Sequence, residues 1–176
     1  MSKRNSLLLV IVLITASAFT RLVPHLGNFT AVLAISLLGG AWIKRRELAI
    51  LVPLTAVFAT DLFLGLYPNM IFVYATYAVI ALVGSIALKG KATPKNGLKL
   101  AGFGVGASLF FFLTTNFGAW LGNTALYPQT LEGLMASYTA GIPFLRNTLL
   151  GTLAYGTVLV MVKNAIEARV RSTQAA

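Results

Sequence analysis

No cysteine occurs anywhere in the 176 residues. Disulfides, thiolate-bound metals and thiol catalysis are therefore excluded. Histidine occurs once, as His25. One imidazole without cysteine makes a poor metal site, so His25 reads more simply as a loop or packing residue. No bound cofactor is implied by any motif. Zinc-protease and P-loop patterns are missing. No acid lies near His25 in sequence, so no nucleophile–base pair stands out. Charge is scarce as well: charged residues make up 10% of the chain, against about 25% in soluble domains.

What remains is apolar. Hydrophobic residues account for 57%, with a mean hydropathy of +0.82. This is the composition of an integral membrane protein. Six apolar runs can be marked, at about 7–23, 29–43, 48–66, 70–88, 98–121 and 142–162. A spanning helix needs about 20 apolar residues. The last four runs qualify, whereas the second would rise only about 22 Å. No alternation of polar and apolar residues appears, which argues against a β-barrel. The expected fold is all-α: residues 1–176 form one domain, a six-transmembrane-helix bundle with a short second helix. A long outer link precedes helix six.

The chain carries a net charge of +10. Its basic residues fall in the N-terminus (Lys3, Arg4), the turn Lys44-Arg45-Arg46, the link "KGKATPKNGLK" and the C-terminal tail (Lys163, Arg169, Arg171). If six helices alternate, all but Arg21 and Arg146 lie on one side. The positive-inside rule then puts both termini in the cytoplasm, in a bacterial inner membrane. Charge spread over four separate ends gives no stripe for nucleic acid. The first run also resembles a signal peptide, with Ala16-Ser17-Ala18 as a small-residue site. The apolar run continues to Val23, so retention as a helix is expected.

The other side is polar without being charged. Its loops hold Arg21, His25 and Asn28, then Tyr67 and Asn69, then Asn123 in a link expected to lie partly helical along the membrane surface. Run six opens with "IPFLRN", giving Arg146 and Asn147. Asp61, in "FATDLFLG", lies about 20 Å up its helix, in the outer third of a roughly 30 Å hydrocarbon core. An ionised carboxylate at such depth costs about 2.5 kcal/mol or more. Arg21 or Arg146 is expected to hold it. Tyr74 lies in the first turns of run four. Asn116 and Trp120, four apart, share a helix face. Arg21, Asp61, Tyr74, Asn116 and Arg146 sit at similar depth and could converge on an outward-facing pocket. A buried salt bridge that only fixes packing satisfies Asp61 equally well.

Weaker features have plain readings. The series Gly102, Gly104, Gly106 follows no strand, so it is no dinucleotide loop; membrane glycines let helices approach closely. Asn28-Phe29-Thr30 is a glycosylation sequon, meaningful only in a glycosylating host. Outer tyrosines and tryptophans also fit the interfacial aromatic belt.

The order of features resembles a known family. "RLVPHLGNF" closes helix one with a proline-containing outer loop. "TAVLAISLLGGAW" is a short segment rich in small residues, and a tight basic turn leads into "ELAILVPLTAVFATDLFLG". This layout, over about residues 7–163, is similar to the substrate-binding S-components of energy-coupling factor transporters. The resemblance implies uptake of a small vitamin-like ligand under the loops after helices one, three and five. It also implies a transmembrane coupling protein with cytoplasmic ATPases. The first helix departs from the family pattern: where two alanines four apart are expected, it offers Ala16 and Thr20. The expectation is a binding and uptake protein rather than an enzyme. The alternatives are a structural or assembly protein and a small membrane enzyme using Asp61, His25 or Glu132.

Overall fold

The computed structural model describes residues 3–175, with side chains from 7 to 173. Lys3 and Arg4, expected on the cytoplasmic side, have their side chains outside that range. Six helices follow in order: α1 (Lys3–Leu22), α2 (Val32–Trp42), α3 (Arg46–Leu64), α4 (Met70–Ala87), α5 (Gly97–Gly122) and α6 (Leu131–Ala175). A single 3-10 turn, Pro94–Asn96, leads into α5. No strand occurs among the described residues. Four helices, α3 to α6, are long and apolar enough to cross a membrane. Leu7–Leu22 of α1 and the whole of α2 are apolar but shorter.

The shortest helix is the core. Ten consecutive residues of α2, Val32 to Ala41, are buried. A helix that is apolar all round has no face for water and must be surrounded; α1, α3, α4, α5 and α6 all pack on it. Its one hydroxyl, on Ser36, is fully buried and donates to the Val32 carbonyl at 2.8 Å. That back-bond satisfies the hydroxyl without an outside partner.

Two glycines set how closely α2 and α4 approach. A methyl group at Gly40 would collide with the Ala81 carbonyl, and one at Gly84 would collide with the Leu37 carbonyl. Each helix thus lays a glycine on the other's backbone. Without a hydrophobic force between helices in lipid, such close packing is what holds them. Tyr77 and Phe111 extend the core from α4 to α5, ring centroids 5.2 Å apart.

Several boundaries differ from those read in the sequence, each for a local reason. Helix α2 starts at Val32 rather than 29, because Asn28 takes a left-handed φ of 65° and Phe29 and Thr30 are held in turns. The Ala31 amide donates to Thr20 Oγ1 at 3.1 Å, tying that turn to α1. Helix α3 stops at Leu64, since Gly65 has φ 101°, a conformation other residues avoid. The largest change is α6. Thr130 caps it, accepting from the Gly133 amide at 3.2 Å, and the helix runs unbroken through Pro143. The link expected to be partly helical is helical from Leu131 and packs back on α5: Ser137 donates to the Asn116 carbonyl at 2.7 Å and Tyr138 to the Leu113 carbonyl at 3.1 Å.

The basic loops gather at one end. Trp42 Nε1 donates to the Ala92 carbonyl at 3.3 Å, and Lys163 Nζ stands 5.5 Å from the centre of the Trp42 ring. The ends of α2 and α4 and the Lys163 turn of α6 therefore meet there. Asp61 lies at the opposite end, with the ends of α1, α3 and α5 and the start of α4.

Replacing Gly40 or Gly84 with leucine is expected to lower stability by about 1–3 kcal/mol or more, since the obstacle is backbone. Gly102→Ala meets nothing within 4 Å and is expected to leave stability unchanged or slightly raised. Thermal unfolding in detergent checks the contrast; equal melting for all three variants would contradict this packing.

Candidate functional site: an Arg–Asp–Tyr network around a buried carboxylate

Three helices each bring one polar group to a single point. Arg21 ends α1, Asp61 lies in the last turn of α3, and Tyr74 in the second turn of α4. Asp61 has no exposed surface. Arg21 Nη2 donates to Asp61 Oδ1, forming the ion pair. The Tyr74 hydroxyl donates to Asp61 Oδ2 at 2.8 Å. Both carboxylate oxygens thus have a partner, and this is the condition for keeping a charge away from water. Neighbouring Thr60, also buried, bonds back to its own helix at Ala56 and Val57.

Tyr67, in the α3–α4 loop, faces the same pair. Burial, and then the negative charge of Asp61, push its hydroxyl up to about 12. It stays a neutral donor across physiological pH.

Two atoms in this region are unmatched. Arg21 Nε and Ser17 Oγ are buried with no hydrogen-bond partner among the described residues. They lie one helical turn apart on the same face of α1. Buried polar groups are nearly always satisfied, so each such exception calls for a physical reason. Ser17 was not singled out in the sequence, although its position four residues before Arg21 is the signal that could have found it.

The other candidate residues disperse. Arg146 is exposed and forms no ion pair among the described residues, so Arg21 alone holds Asp61. Asn116 turns away, donating to its own helix at the Phe112 carbonyl, 2.8 Å. Gly141 of α6 leaves room for that amide. The convergence expected of five residues is thus realised by Arg21, Asp61 and Tyr74. His25 is exposed, with Nδ1 2.7 Å from the Val23 carbonyl. Asn28 forms the left-handed turn described above. Asn69 reaches the Thr115 carbonyl at 3.4 Å and joins α4 to α5. Trp120 Nε1 donates to the Pro128 carbonyl at 2.9 Å, and the Asn123 carbonyl accepts from Leu126 and Tyr127, so both shape the α5–α6 turn. Asn147 donates to the Gly27 carbonyl at 2.9 Å and pins the α1–α2 loop to α6.

Two cavities open elsewhere. One of about 300 Å³ lies between α2, α5 and α6. Another of about 610 Å³ is a groove between α4 and α5. Both are walled almost wholly by apolar side chains, and neither touches Arg21, Asp61 or Tyr74. Among the described residues, no group of three acids or histidines could hold a metal ion.

The chain belongs to the DUF6580 family, a family of unknown function whose model matches residues 1–174. No curated protein and no solved structure matches it.

Tyr74→Phe removes a hydrogen bond to a charged group and is expected to cost about 1.5–3 kcal/mol. His25→Ala and Arg146→Ala, both on exposed side chains, are expected to stay within about 0.5 kcal/mol of the parent. Chemical denaturation in mixed micelles measures these differences. A Tyr74→Phe variant as stable as His25→Ala would contradict the network.

Proposed function

We propose that this chain is an integral membrane protein that binds and takes up a small polar molecule at the Asp61 end of the bundle. Six segments would thread the bilayer, with α1 and α2 as short members and both termini in the cytoplasm of a bacterial cell. The clustering of the Lys44–Arg46 turn, the Lys89–Lys99 link and Lys163 at one end supports that orientation. The architecture and the role fit the S-components of energy-coupling factor transporters. On that reading, a transmembrane coupling protein with cytoplasmic ATPases completes the transporter, and the ligand is vitamin-like.

The observation that carries the binding reading is the unmatched pair on α1, Arg21 Nε and Ser17 Oγ. A guanidinium offers five donors in a fixed fork. Here one goes to Asp61, and the buried Nε–H is left to meet an acceptor. A ligand carbonyl or carboxylate satisfies it, with Ser17 Oγ as a second contact. Asp61 fixes the orientation of Arg21, and Tyr67 and Tyr74 wall the same place with hydroxyls.

A second reading is favoured by a different observation. Asp61 already has both oxygens occupied by protein groups. A closed network of that kind can serve packing alone, as in a structural or assembly protein.

The two readings separate in one experiment. The purified protein is screened by thermal shift against a panel of vitamins and small carboxylates, with native mass spectrometry for retained adducts. Binding predicts stabilisation by at least one compound. Arg21→Lys keeps the charge but loses the fork, and is expected to weaken that compound at least about tenfold while still folding. Stabilisation by none of the panel and a clean apo mass would leave the packing reading. An undiminished affinity in Arg21→Lys and Ser17→Ala would remove the site from α1.

A further inference from the structure

Glycine in a helix interior is unfavourable unless something needs the space. In this chain most helical glycines have a visible reason. Gly40 and Gly84 admit a neighbouring backbone, Gly118 admits the Phe72 ring, and Gly141 admits Asn116. Gly104 packs on Thr152 and Leu153 at 3.4 Å. Gly102 and Gly106 are different: a methyl group on either would meet nothing within 4 Å. The close helix approach expected of the whole series is met by Gly104 alone.

Gly102 and Gly106, four apart on α5, instead open the 610 Å³ groove. Val79 and Val83 of α4 form the opposite wall, and Leu37 of α2 lies beneath. The volume falls within the roughly 300–1,000 Å³ that small-molecule ligands fill. The groove has direction. Lys99, exposed, stands at its basic end, and Phe110 is the last α5 residue at the other. Along a helix that span is about 16 Å, close to half of the roughly 30 Å hydrocarbon core. It is one leaflet deep.

We infer that this groove holds an acyl chain of an anionic phospholipid, with its phosphate on Lys99. The one-leaflet depth suits an acyl chain better than a partner helix, which would follow the full length of α5. The charge suits it too. Lys89, Lys91 and Lys95 lie in the connection that leads into Lys99, and no acid pairs with any of the four among the described residues. Each lysine near an anionic surface strengthens attraction by about fivefold. Gly102 and Gly106 deepen the groove where any side chain would fill it. The site is separate from Arg21 and Asp61, so it stands or falls independently of the proposed uptake role.

The test uses full-length protein in detergent with added phosphatidylglycerol or phosphatidylcholine of identical acyl chains, read by native mass spectrometry. The parent protein is expected to retain phosphatidylglycerol at least about fivefold better. Lys99→Glu is expected to abolish that preference, and its exposed position leaves the fold intact. Gly106→Leu fills the groove and is expected to lose the retained lipid altogether; Gly106→Ala, which meets no neighbour, is expected to lose part of it. Equal retention of the two lipids by the parent, or undiminished phosphatidylglycerol in both Lys99→Glu and Gly106→Leu, would overturn the inference. A dimer in the parent that Gly106→Leu dissolves would overturn it in favour of a helix interface between copies.

Discussion

A carboxylate with no exposed surface, inside an apolar helix bundle, constrains everything around it. Asp61 can stay charged only where cations and hydroxyls reach it, and the chain supplies them from two other helices. Arg21 must therefore end α1 beside the last turn of α3, and Tyr74 must begin α4 beside the same turn. The α3–α4 loop is short and turns at Gly65, which keeps Tyr67 within the field of the pair. The polar end of the bundle is thus tied by charge.

The other half is held by shape. Helix α2 is short and too apolar to be exposed, so the longer helices wrap it. Gly40 and Gly84 let α2 and α4 meet at their backbones, where a larger side chain on either would separate them. The two halves have different chemical uses. At the Asp61 end the Arg21 guanidinium retains a buried, unmatched Nε–H. At the basic half the cavity walls are apolar, and Lys99 stands at one end of the larger groove. A small polar ligand suits the first and a lipid tail the second.

Much of this was legible in the sequence. The apolar runs located every helix, because a lipid-soluble chain leaves little choice but helix. The cost of a lone intramembrane acid marked Asp61, and similar depth along the helices picked out Arg21 and Tyr74 correctly as neighbours. Depth alone does not supply rotation about each helix axis, so it groups Arg146 and Asn116 with them although they face elsewhere. The burial of α2 was hidden by its length, since a short apolar run looks the same whether it is re-entrant, tilted or central. The α6 start was hidden by "GLMASYTAG", whose polar side chains find partners on α5 that no local pattern announces. Ser17 carries no signal of its own, because a serine matters here only through its place one turn below Arg21.

The most direct test of the central ion pair is a thermodynamic cycle on its two members. Stability is measured for the parent, Arg21→Ala, Asp61→Ala and the double variant in the same lipid–detergent mixture. Removing either partner strands the other charge in an apolar site, which typically costs about 3–5 kcal/mol. The double variant removes both charges and is expected to recover much of that loss, giving a coupling of about 2 kcal/mol or more. Additive losses in the double variant would mean that Arg21 and Asp61 do not depend on each other, and would contradict the pairing on which the polar end rests.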